Sequence, residues 1–531
     1  MGSENSRWTR RQFVGRGALL AGAWQMGLRR RLFAEALAVS AADLAKDPRR
    51  PQFHLLPAAN WMNDPNGPIF WKGQYHMFFQ YNPNGAYWGD MHWAHAVSPD
   101  MVHWRHLPVG LSPTPGGPDA DGCFTGSAVV QDGVATLIYT GIAAAPKSQA
   151  TLDDGKTAFR ETQCIATCDQ PMLGDWKKAP APVIASPPPG MAVSGFRDPA
   201  PWRYWGSWYL CVGSGVRGKG GMILLYRSKD FRKWEYLHPL VEGTIPADSD
   251  RSKSATDPVG SGEMWECPDF FAIRDKFVLI YSTQGKVFWQ SGVLDRASLK
   301  FQAEQSGLLD YGTYYAPKTQ LDENGNRILW GWIPETRPLA EYRASGWAGL
   351  MSLPRLLDLD SKGMLVTRVS PAVEKLRGLE QSLNKSGTEA GDKKQIDAMR
   401  ISDCCGELQC DASLTDEPFG FSLVRDDGSE HGKDLFAVEW QPQGAKLLLD
   451  GKEIPAGVDR QSGLQLHAFV DGSAVEFFIN GRAACTRRFY YVGDKAPEIR
   501  VGVKGSVQGI KQLRLWQITP ISSDRLTGES S

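Results

Sequence analysis

At residues 98–104 the chain reads Ser98-Pro99-Asp100-Met101-Val102-His103-Trp104, and at residues 228–234 it reads Ser228-Lys229-Asp230-Phe231-Arg232-Lys233-Trp234. A looser copy runs from Thr167-Cys168-Asp169 to Trp176. Each copy follows a strand-like run, such as residues 221–227. A Ser-x-Asp turn with a Trp downstream, repeated at the end of such runs, is typical of one hairpin reused in successive blades of a β-propeller.

Short aromatic and β-branched runs, separated by Gly, Pro, Asp and Asn, continue from Phe53 to about Leu356 with little helical periodicity. The repeated turn divides this region into about five blades. Each small sheet can bury its faces only against its neighbours, so the ring must close to be stable. The sequence therefore predicts an all-β fold whose first domain is a five-bladed β-propeller at residues 49–366.

A second β-rich region follows the predicted propeller. Residues 464–479 alternate between apolar and polar positions on both sides of Asp471-Gly472, which is the pattern of a β-hairpin. Short strands at this spacing predict a C-terminal β-sandwich over residues 393–521. The more polar residues 367–392 are predicted to be a partly helical linker, and the tail at residues 522–531 is predicted to be disordered.

Composition limits the classes of partner. The 531 residues exceed the ~250–300 at which a single core stops growing, which agrees with two domains. With 59 basic and 59 acidic side chains the net charge is zero, so nothing favours nucleic acid or an anionic membrane, and a neutral partner is expected. The 19 Trp and 22 Phe suit sugar stacking, although structural use is commoner.

The cysteines do not predict a metal centre. Nine are present, and none follows the paired CxxC spacing of a zinc site, so neither a metal nor a cofactor is expected. Cys164 with Cys168, or a pair among Cys404, Cys405 and Cys410, could form a disulfide in an oxidising compartment. The sequence leaves that pairing open.

The first 48 residues are predicted to be an export leader. Thr9-Arg10-Arg11-Gln12-Phe13 precedes a mildly apolar run over residues 14–28 and resembles a twin-arginine signal; the alternative is a basic amphipathic helix. Cleavage is expected within residues 34–45. We therefore expect the twin-arginine machinery as a partner and a periplasmic or extracellular location. No later run of about 18 apolar residues exists, so no stable membrane association of the mature chain is expected.

Three acidic residues stand at the start of aromatic strands. Asp64 lies in Trp61-Met62-Asn63-Asp64-Pro65-Asn66-Gly67, Asp198 in Phe196-Arg197-Asp198-Pro199, and Glu266 in Trp265-Glu266-Cys267-Pro268-Asp269. Singly, each block is also an ordinary turn or strand end. A propeller, however, brings the first strand of every blade to one axis, so these carboxylates should converge. Convergent acids in a funnel predict a glycosidase.

These three blocks, in this order, resemble glycoside hydrolase family 32, the invertase, levanase and inulinase family. The resemblance covers nearly the whole chain after residue 50, including the second domain. It also rests on the segments Tyr75-His76-Met77-Phe78-Phe79-Gln80-Tyr81-Asn82-Pro83, Leu309-Asp310-Tyr311-Gly312 and Phe469-Val470-Asp471-Gly472-Ser473.

The resemblance implies a retaining hydrolase that releases fructose from sucrose, fructo-oligosaccharides, levan or inulin. Asp64 matches the nucleophile, Asp198 the transition-state stabiliser and Glu266 the acid/base. Asp64 must stay ionised, whereas Glu266 must start protonated, for which a nearby carboxylate and aromatic walls are expected. Retention requires the two carboxyl groups ~5–5.5 Å apart, and inversion ~6.5–9.5 Å.

Further substrate contacts are implied by the same resemblance. Arg197 is expected either to orient Asp198 or to form a salt bridge between blades. Thr125 replaces the commoner Ser of its motif, which keeps the hydroxyl. The implied substrate-binding residues are Trp61, Asn63, Gln80, Trp88, Phe124, Thr125, Arg197, Cys267 and Trp332.

Three other functions remain open at this point. An inverting, arabinan-degrading propeller would share three inward acids but not the surrounding blocks. A sugar-binding propeller that has lost activity would not need all three acids. A fructosyltransferase would share the first half-reaction and then hand the fructosyl group to another sugar. Separating the products formed from each sugar distinguishes these possibilities.

Overall fold

The fold is seen in a computed structural model that describes residues 39–153, 158–245, 256–426, 433–455, 457 and 461–528. The first five sheets along the chain are the blades of a propeller. Their innermost strands contact one another in sequence, and the last of them contacts the first. The ring is therefore closed, and the predicted five-bladed, all-β fold is confirmed.

The blades are built from consecutive strands. Blade 1 contains β1 (Asn60–Trp71), β2 (Gln74–Asn82), β3 (His92–Ser98) and β4 (Arg105–Leu111). Blade 2 contains β5 (Gly122–Gln131), β6 (Val134–Ala144), β7 (Leu152–Asp153), β8 (Ala158–Cys168) and β9 (Lys177–Lys178). Blade 3 contains β10 (Val193–Tyr204), β11 (Ser207–Val216), β12 (Gly220–Ser228) and β13 (Glu235–Glu242).

Blades 4 and 5 complete the ring. Blade 4 contains β14 (Glu266–Ile273), β15 (Lys276–Thr283), β16 (Lys286–Leu294) and β17 (Phe301–Leu308). Blade 5 contains β18 (Tyr315–Leu321), β19 (Arg327–Ile333), β21 (Leu350–Met351), β22 (Arg355–Leu359) and β23 (Leu365–Val369). The short β20 (Trp347–Ala348) runs parallel to β1 and so ties the two ends of the ring together.

The repeated turn joins the third strand to the fourth in blades 1 and 3. A side-chain oxygen of Asp100, and likewise of Asp230, accepts hydrogen bonds from the backbone N–H groups two and three residues further on, at 2.8–3.2 Å. The next residue adopts a positive φ, +71° at Met101 and +62° at Phe231. The following Trp donates its indole N–H to the carbonyl of that residue. One local chemistry therefore builds both hairpins.

The second domain is a sandwich of two six-stranded sheets. One sheet is ordered β24-β35-β26-β31-β32-β33 and the other β25-β34-β27-β28-β29-β30, and the predicted hairpin at residues 464–479 forms β31 and β32. The strands are β24 (Arg377–Ser382), β25 (Arg400–Ile401), β26 (Cys405–Ala412), β27 (Phe419–Arg425), β28 (Lys433–Gln441), β29 (Lys446–Leu449), β30 (Lys452–Glu453), β31 (Leu464–Asp471), β32 (Ala474–Ile479), β33 (Ala483–Arg488), β34 (Ile499–Gly505) and β35 (Ile510–Ile518).

Within the described residues, helix occurs only in short segments. Helix α1 (Ala41–Lys46) precedes the propeller, α2 (Leu339–Ser345) lies between β19 and β20, and α3 (Glu389–Ala398) lies between β24 and β25. Turns of 3₁₀ helix occur at Lys147–Gln149 and Pro371–Leu376. Among the described residues, no helix has both the length and the apolar character needed to cross a bilayer.

The predicted linker at residues 367–392 is wrong in part. Residues 377–382 form β24, an edge strand that pairs with β35 of the sandwich. The prediction failed because an edge strand with one solvated face carries little apolar pattern. The neighbouring α3 begins inside the same stretch, with the Thr388 side chain capping its N-terminus.

The predicted disorder of the tail is also wrong for residues 522–528. Leu526 is buried, and the Arg525 guanidinium donates to the backbone carbonyl of Arg50. A single Leu among polar residues gives no periodic hydrophobic pattern. Only its packing against the rest of the fold shows that this segment is ordered. Residues 529–531 lie outside the described residues.

The predicted leader falls mostly outside the described residues, which begin at residue 39. Residues 39–48 belong to the fold: Ser40 caps α1, Leu44 is buried, and Asp47 accepts a 2.9 Å hydrogen bond from the Trp347 indole. The folded chain therefore begins ahead of the predicted boundary at residue 49. All nine cysteines are among the described residues, where they are buried and form no disulfide.

Candidate active site

Every inner strand of the propeller has an irregular register. Three residue steps on the inner strand oppose two on the neighbouring strand, which is the geometry of a β-bulge. A bulge re-aims side chains out of the regular alternation, which suits a site at the axis. The shifts lie between Met62 and Pro65, Cys123 and Gly126, Arg197 and Ala200, Glu266 and Asp269, and Tyr315 and Lys318.

Blades 3, 4 and 5 build this bulge from one sequence pattern. Phe196-Arg197-Asp198-Pro199, Trp265-Glu266-Cys267-Pro268 and Tyr314-Tyr315-Ala316-Pro317 each read aromatic-x-x-Pro. The residue before proline has a positive φ in all three: +66° at Asp198, +49° at Cys267 and +51° at Ala316. Such conformations concentrate at functional sites. Arg197, Glu266 and Tyr315 therefore occupy equivalent places on three successive blades.

Asp64 is fully buried among hydrogen-bond donors. Its Oδ1 accepts from the Asn63 amide at 3.1 Å, and its Oδ2 accepts from the Thr125 hydroxyl. The Trp61 indole donates to Asn63 Oδ1 at 2.7 Å and so orients that amide. These hydrogen bonds hold the Asp64 carboxylate in one orientation, as a nucleophile requires.

Gln80 connects the residues around Asp64. Its Oε1 accepts from the Asn63 amide, and its Nε2 donates to Thr125 Oγ1 at 2.8 Å. Asn63, Gln80 and Thr125 are each at most 1% exposed, so this chain of hydrogen bonds is protected from water. The structure therefore places these three predicted residues as supports for Asp64.

Asp198 reaches the same place from blade 3. Its Oδ2 accepts from the backbone N–H of Cys267 at 2.9 Å and lies 3.3 Å from Cys267 Sγ. The same sulfur lies 3.4 Å from Asp64 Oδ2. A thiol has one proton, so Cys267 donates to one aspartate at a time. Asp64 and Asp198 thus meet at the sulfur atom of Cys267, and Glu266 immediately precedes Cys267 in the chain.

Glu266 accepts hydrogen bonds from Arg197 and Tyr315. Arg197 donates to its Oε1 through Nε and Nη2 at 3.0 and 2.9 Å, and the Tyr315 hydroxyl donates to its Oε2 at 2.9 Å. Arg197 also donates through Nη1 to Glu161 Oε1 at 2.8 Å. Arg197 therefore forms the salt bridge between blades that was one of its two predicted roles. One aromatic residue of the kind predicted around Glu266, Tyr315, contacts the carboxylate through its hydroxyl group.

Sequence reasoning missed Tyr315 and Glu161. The aromatic-x-x-Pro pattern that marks Arg197 and Glu266 also marks Tyr315, so aligning the three blocks could have found it. Glu161 lies within β8, is fully buried, and accepts from the Phe196 backbone N–H at 2.7 Å as well as from Arg197. Its only signal was a run of polar residues at 161–163 inside a buried strand.

The predicted aromatic contacts divide into two pairs. Trp88 and Phe124 meet edge to face with ring centres 5.9 Å apart, and Trp88 is only half-buried. Trp61 and Trp332 make a similar contact at 5.9 Å but are at most 3% exposed. Trp88 can therefore present a ring face to a ligand, whereas Trp61 and Trp332 pack within the protein.

The site combines a buried carboxylate among donors, a second carboxylate beside it, and a third between a guanidinium and a phenol. Among the described residues, no group of three or more His, Cys, Asp and Glu side chains is placed to hold a metal ion. Carboxyl groups on the axis of a closed propeller can act together on one sugar carbon. This arrangement defines the class of propeller glycosidases.

Comparison with known proteins agrees with that class. The model of the glycosyl hydrolases family 32 N-terminal domain matches residues 54–368, and that of the family 32 C terminal matches residues 372–517. The chain belongs to glycosyl hydrolases family 32. It is a fructose-releasing glycosidase, as the resemblance predicted.

Relatives and solved structures cover almost the whole fold. The chain is 35% identical over 497 residues to the sucrose-6-phosphate hydrolase of Escherichia coli, spanning 88% of this chain and 94% of that protein. Raffinose invertase of Escherichia coli is 34% identical over 469 residues, spanning 84% and 90%. Fructan 1-exohydrolase IIa from Cichorium intybus superposes with a TM-score of 0.70 at 25% identity, covering 89% of this chain and 98% of that one.

Proposed function

We propose that the chain hydrolyses terminal β-D-fructofuranosyl linkages with retention, using Asp64 as nucleophile, Glu266 as acid/base and Asp198 as transition-state stabiliser. One observation carries the assignment: Cys267 Sγ lies 3.4 Å from Asp64 and 3.3 Å from Asp198, and Glu266 precedes it in the chain. Acidic residues from the inner strands of blades 1, 3 and 4 therefore lie around Cys267.

In the first step, an Asp64 oxygen attacks the anomeric carbon of the fructosyl unit. The bond to the leaving oxygen breaks, and that oxygen takes the proton of Glu266. In the second step, Glu266 removes a proton from water, which attacks the same carbon and breaks the ester to Asp64. Both carboxyl groups return to their starting states, and free fructose leaves.

Glu266 must hold a proton at the start, although two donors face it. Arg197 and Tyr315 both favour the charged carboxylate. Glu161 offsets this effect, because it shares the Arg197 guanidinium at 2.8 Å and partly neutralises it. Arg197 thus fixes the position of Glu266 while Glu161 weakens the field that would otherwise hold it ionised.

Asp198 is suited to bind sugar hydroxyls. The backbone N–H of Cys267 fixes its Oδ2, and its own backbone N–H donates to Thr140 Oγ1 at 2.9 Å. One bond fixes a carboxylate oxygen and the other fixes the backbone of Asp198, so the side chain can accept hydrogen bonds from ring hydroxyls with little movement. Such bonds help catalysis when they shorten as the ring approaches the oxocarbenium ion.

Product analysis tests this function. Purified protein is incubated with sucrose, sucrose 6-phosphate, raffinose, 1-kestose, inulin and levan, and free fructose is separated from longer products. We expect free fructose as the main product of at least one sugar, and methyl β-D-fructofuranoside when methanol is added. Absence of fructose from all of them would refute the activity. Chain-lengthened sugars as main product would identify a transferase, and the α-methyl fructoside would refute retention.

We propose further that the leader directs twin-arginine export and is removed before residue 40. Arg10-Arg11 ahead of the apolar run supports export. Ala36-Leu37-Ala38 has the small-x-small form of a cleavage site, and the fold uses Ser40 and Leu44.

Expression of the whole chain in a bacterium with a twin-arginine system tests this proposal. We expect exported protein beginning at Val39, and retention inside the cell when Arg10 and Arg11 are both changed to Lys. The double variant controls for charge, because lysine keeps the positive run. Unchanged export of that variant, or a mature N-terminus beyond Leu44, would contradict the proposal.

A further inference from the structure

The sandwich domain reaches the segment that leads into the inner strand of blade 5. Strand β33 runs alongside residues 310–313: Tyr311 N–H donates to the Ala484 carbonyl at 2.8 Å, and Thr313 N–H donates to the Thr486 carbonyl at 2.6 Å. In return, Thr486 N–H donates to Asp310 Oδ1 at 2.9 Å. The approach is so close that a Cβ on Gly312 would lie 1.9 Å from the Thr486 carbonyl oxygen.

Buried charges reinforce this contact. Arg355 of blade 5 donates to Asp310 Oδ2 at 2.9 Å and to Glu476 of the sandwich through Nε at 3.1 Å. Thr486 Oγ1 accepts from Arg355 and donates to Asp310. Each of these side chains is at most 4% exposed. We call Asp310, Arg355, Glu476 and Thr486 the interface cluster.

The interface cluster ends beside the acid/base. The Arg355 guanidinium lies over the ring of Tyr314 at 4.1 Å, and Tyr314 is almost fully buried. The next residue is Tyr315, whose hydroxyl donates to Glu266 Oε2 at 2.9 Å. After Tyr315 the chain enters the bulge, with a positive φ at Ala316. The orientation of Tyr315 therefore depends on a short segment that the sandwich domain contacts on one side.

We propose that the sandwich domain is part of the catalytic apparatus: its interface cluster positions the Tyr315 hydroxyl on Glu266. This inference rests on the proposed function. Asp310, Arg355, Glu476 and Thr486 are positioning residues, because they act through Tyr314 and Tyr315 and do not contact Glu266 themselves. A purely structural interface would stabilise the fold without any effect on the ionisation of the acid/base.

The pH dependence of kcat/KM reports on the groups that face Glu266. These are Arg197 and Tyr315 directly, Glu161 through Arg197, and Asp64 and Asp198 around Cys267. Glu266 must be protonated to act, so its ionisation sets the basic limb of the pH profile of kcat/KM. Loss of the Tyr315 hydrogen bond removes a stabilising donor from the carboxylate, which moves this limb to higher pH.

The experiment compares Thr486→Val, Arg355→Lys and Tyr315→Phe with the unmodified chain on the sugar that it cleaves best. We expect each variant to move the basic limb upward by about one pH unit and to lower kcat about 10- to 100-fold, with a smaller change in KM. Adding Thr486→Val to Tyr315→Phe should produce no further shift of the limb, because both changes act on the same hydrogen bond.

Glu407→Gln is the matched control. Glu407 is a buried sandwich residue paired with Arg377, and it lies on β26, which is not a partner of β33 in the sheet. We expect this variant to lower the unfolding temperature and leave the limb in place. If Arg355→Lys does not fold, Thr486→Val carries the test, because it removes a single hydroxyl.

Two results would overturn the inference. In one, Tyr315→Phe moves the limb but Thr486→Val leaves it in place; in the other, the shifts of the two variants add. Absence of fructose release from the unmodified chain in the same assay would overturn the proposed function as well, so the two failures are distinguishable.

Discussion

Replacing Asp64 with Asn is expected to lower kcat/KM by about 10⁴-fold or more while the protein stays folded. An amide oxygen cannot form the fructosyl ester, and it lacks the negative charge that the oxocarbenium-like transition state requires. Initial rates of fructose release give the activity, and thermal unfolding reports the fold. Because Thr125 and Cys267 can reorient toward the new amide, we expect the unfolding temperature to change by only a few degrees.

Asp269→Asn is the matched control for this change. Asp269 is also on an inner strand, three positions after Glu266, and its Oδ2 accepts from the Thr319 backbone N–H at 2.6 Å. The same loss of charge there should leave kcat/KM within about tenfold, because Asp269 makes its contact within the scaffold. Substantial turnover by Asp64→Asn, with deamidation excluded by mass spectrometry, would remove Asp64 from its proposed role.

The stability of the folded chain is expected to fall as the pH rises from about 6.5 to 9, because of His54. This residue is fully buried between two sandwich carboxylates, with Nδ1 2.8 Å from Asp471 and Nε2 3.0 Å from Glu476. Both ring nitrogens must donate, so the ring is charged. Burial alone would lower the pKa of His54. Hydrogen bonds to Asp471 and Glu476, together with the negative charges of these two residues, raise it to about 9.

The direction and size of this change in stability follow from the linkage between proton binding and folding. The folded-state pKa of His54, about 9, lies above the ordinary value of 6.5, so its contribution is fully present below pH 6.5 and is lost as the pH rises through 9. A difference of this size corresponds to roughly 3 kcal/mol. The urea midpoint should therefore fall steeply between pH 6 and 9.5.

His54→Gln provides the comparison. Glutamine keeps a polar side chain at the interface but does not titrate, so the variant should be less stable at pH 6 and show a much flatter dependence on pH. Equal slopes for the two proteins across this range would assign the pH dependence to other groups. Urea unfolding followed by Trp fluorescence, at fixed ionic strength, measures the stability of both proteins at each pH.

Some parts of the molecule are predictable from the sequence and others are not. The propeller, the hairpin at residues 464–479 and the meeting of Asp64, Asp198 and Glu266 were all predicted. Each depends on a local pattern, such as the Ser-x-Asp turn or an acidic residue one or two positions before a proline at a strand start. The edge strand at residues 377–382 was missed, because its own sequence has no apolar alternation. Its backbone pairing with β35 is what identifies it as a strand.

The sequence by itself determined the blade repeat, because turns and bulges are specified by neighbouring residues: a proline lacks an N–H, and an aspartate binds the backbone beside it. Only the tertiary structure decided that Arg197 pairs with both Glu161 and Glu266, and that the sandwich grips the segment before Tyr315. Buried ion pairs join residues far apart in the chain, and in a sequence their polar members look like surface residues. Closure of the ring and docking of the sandwich bring them together.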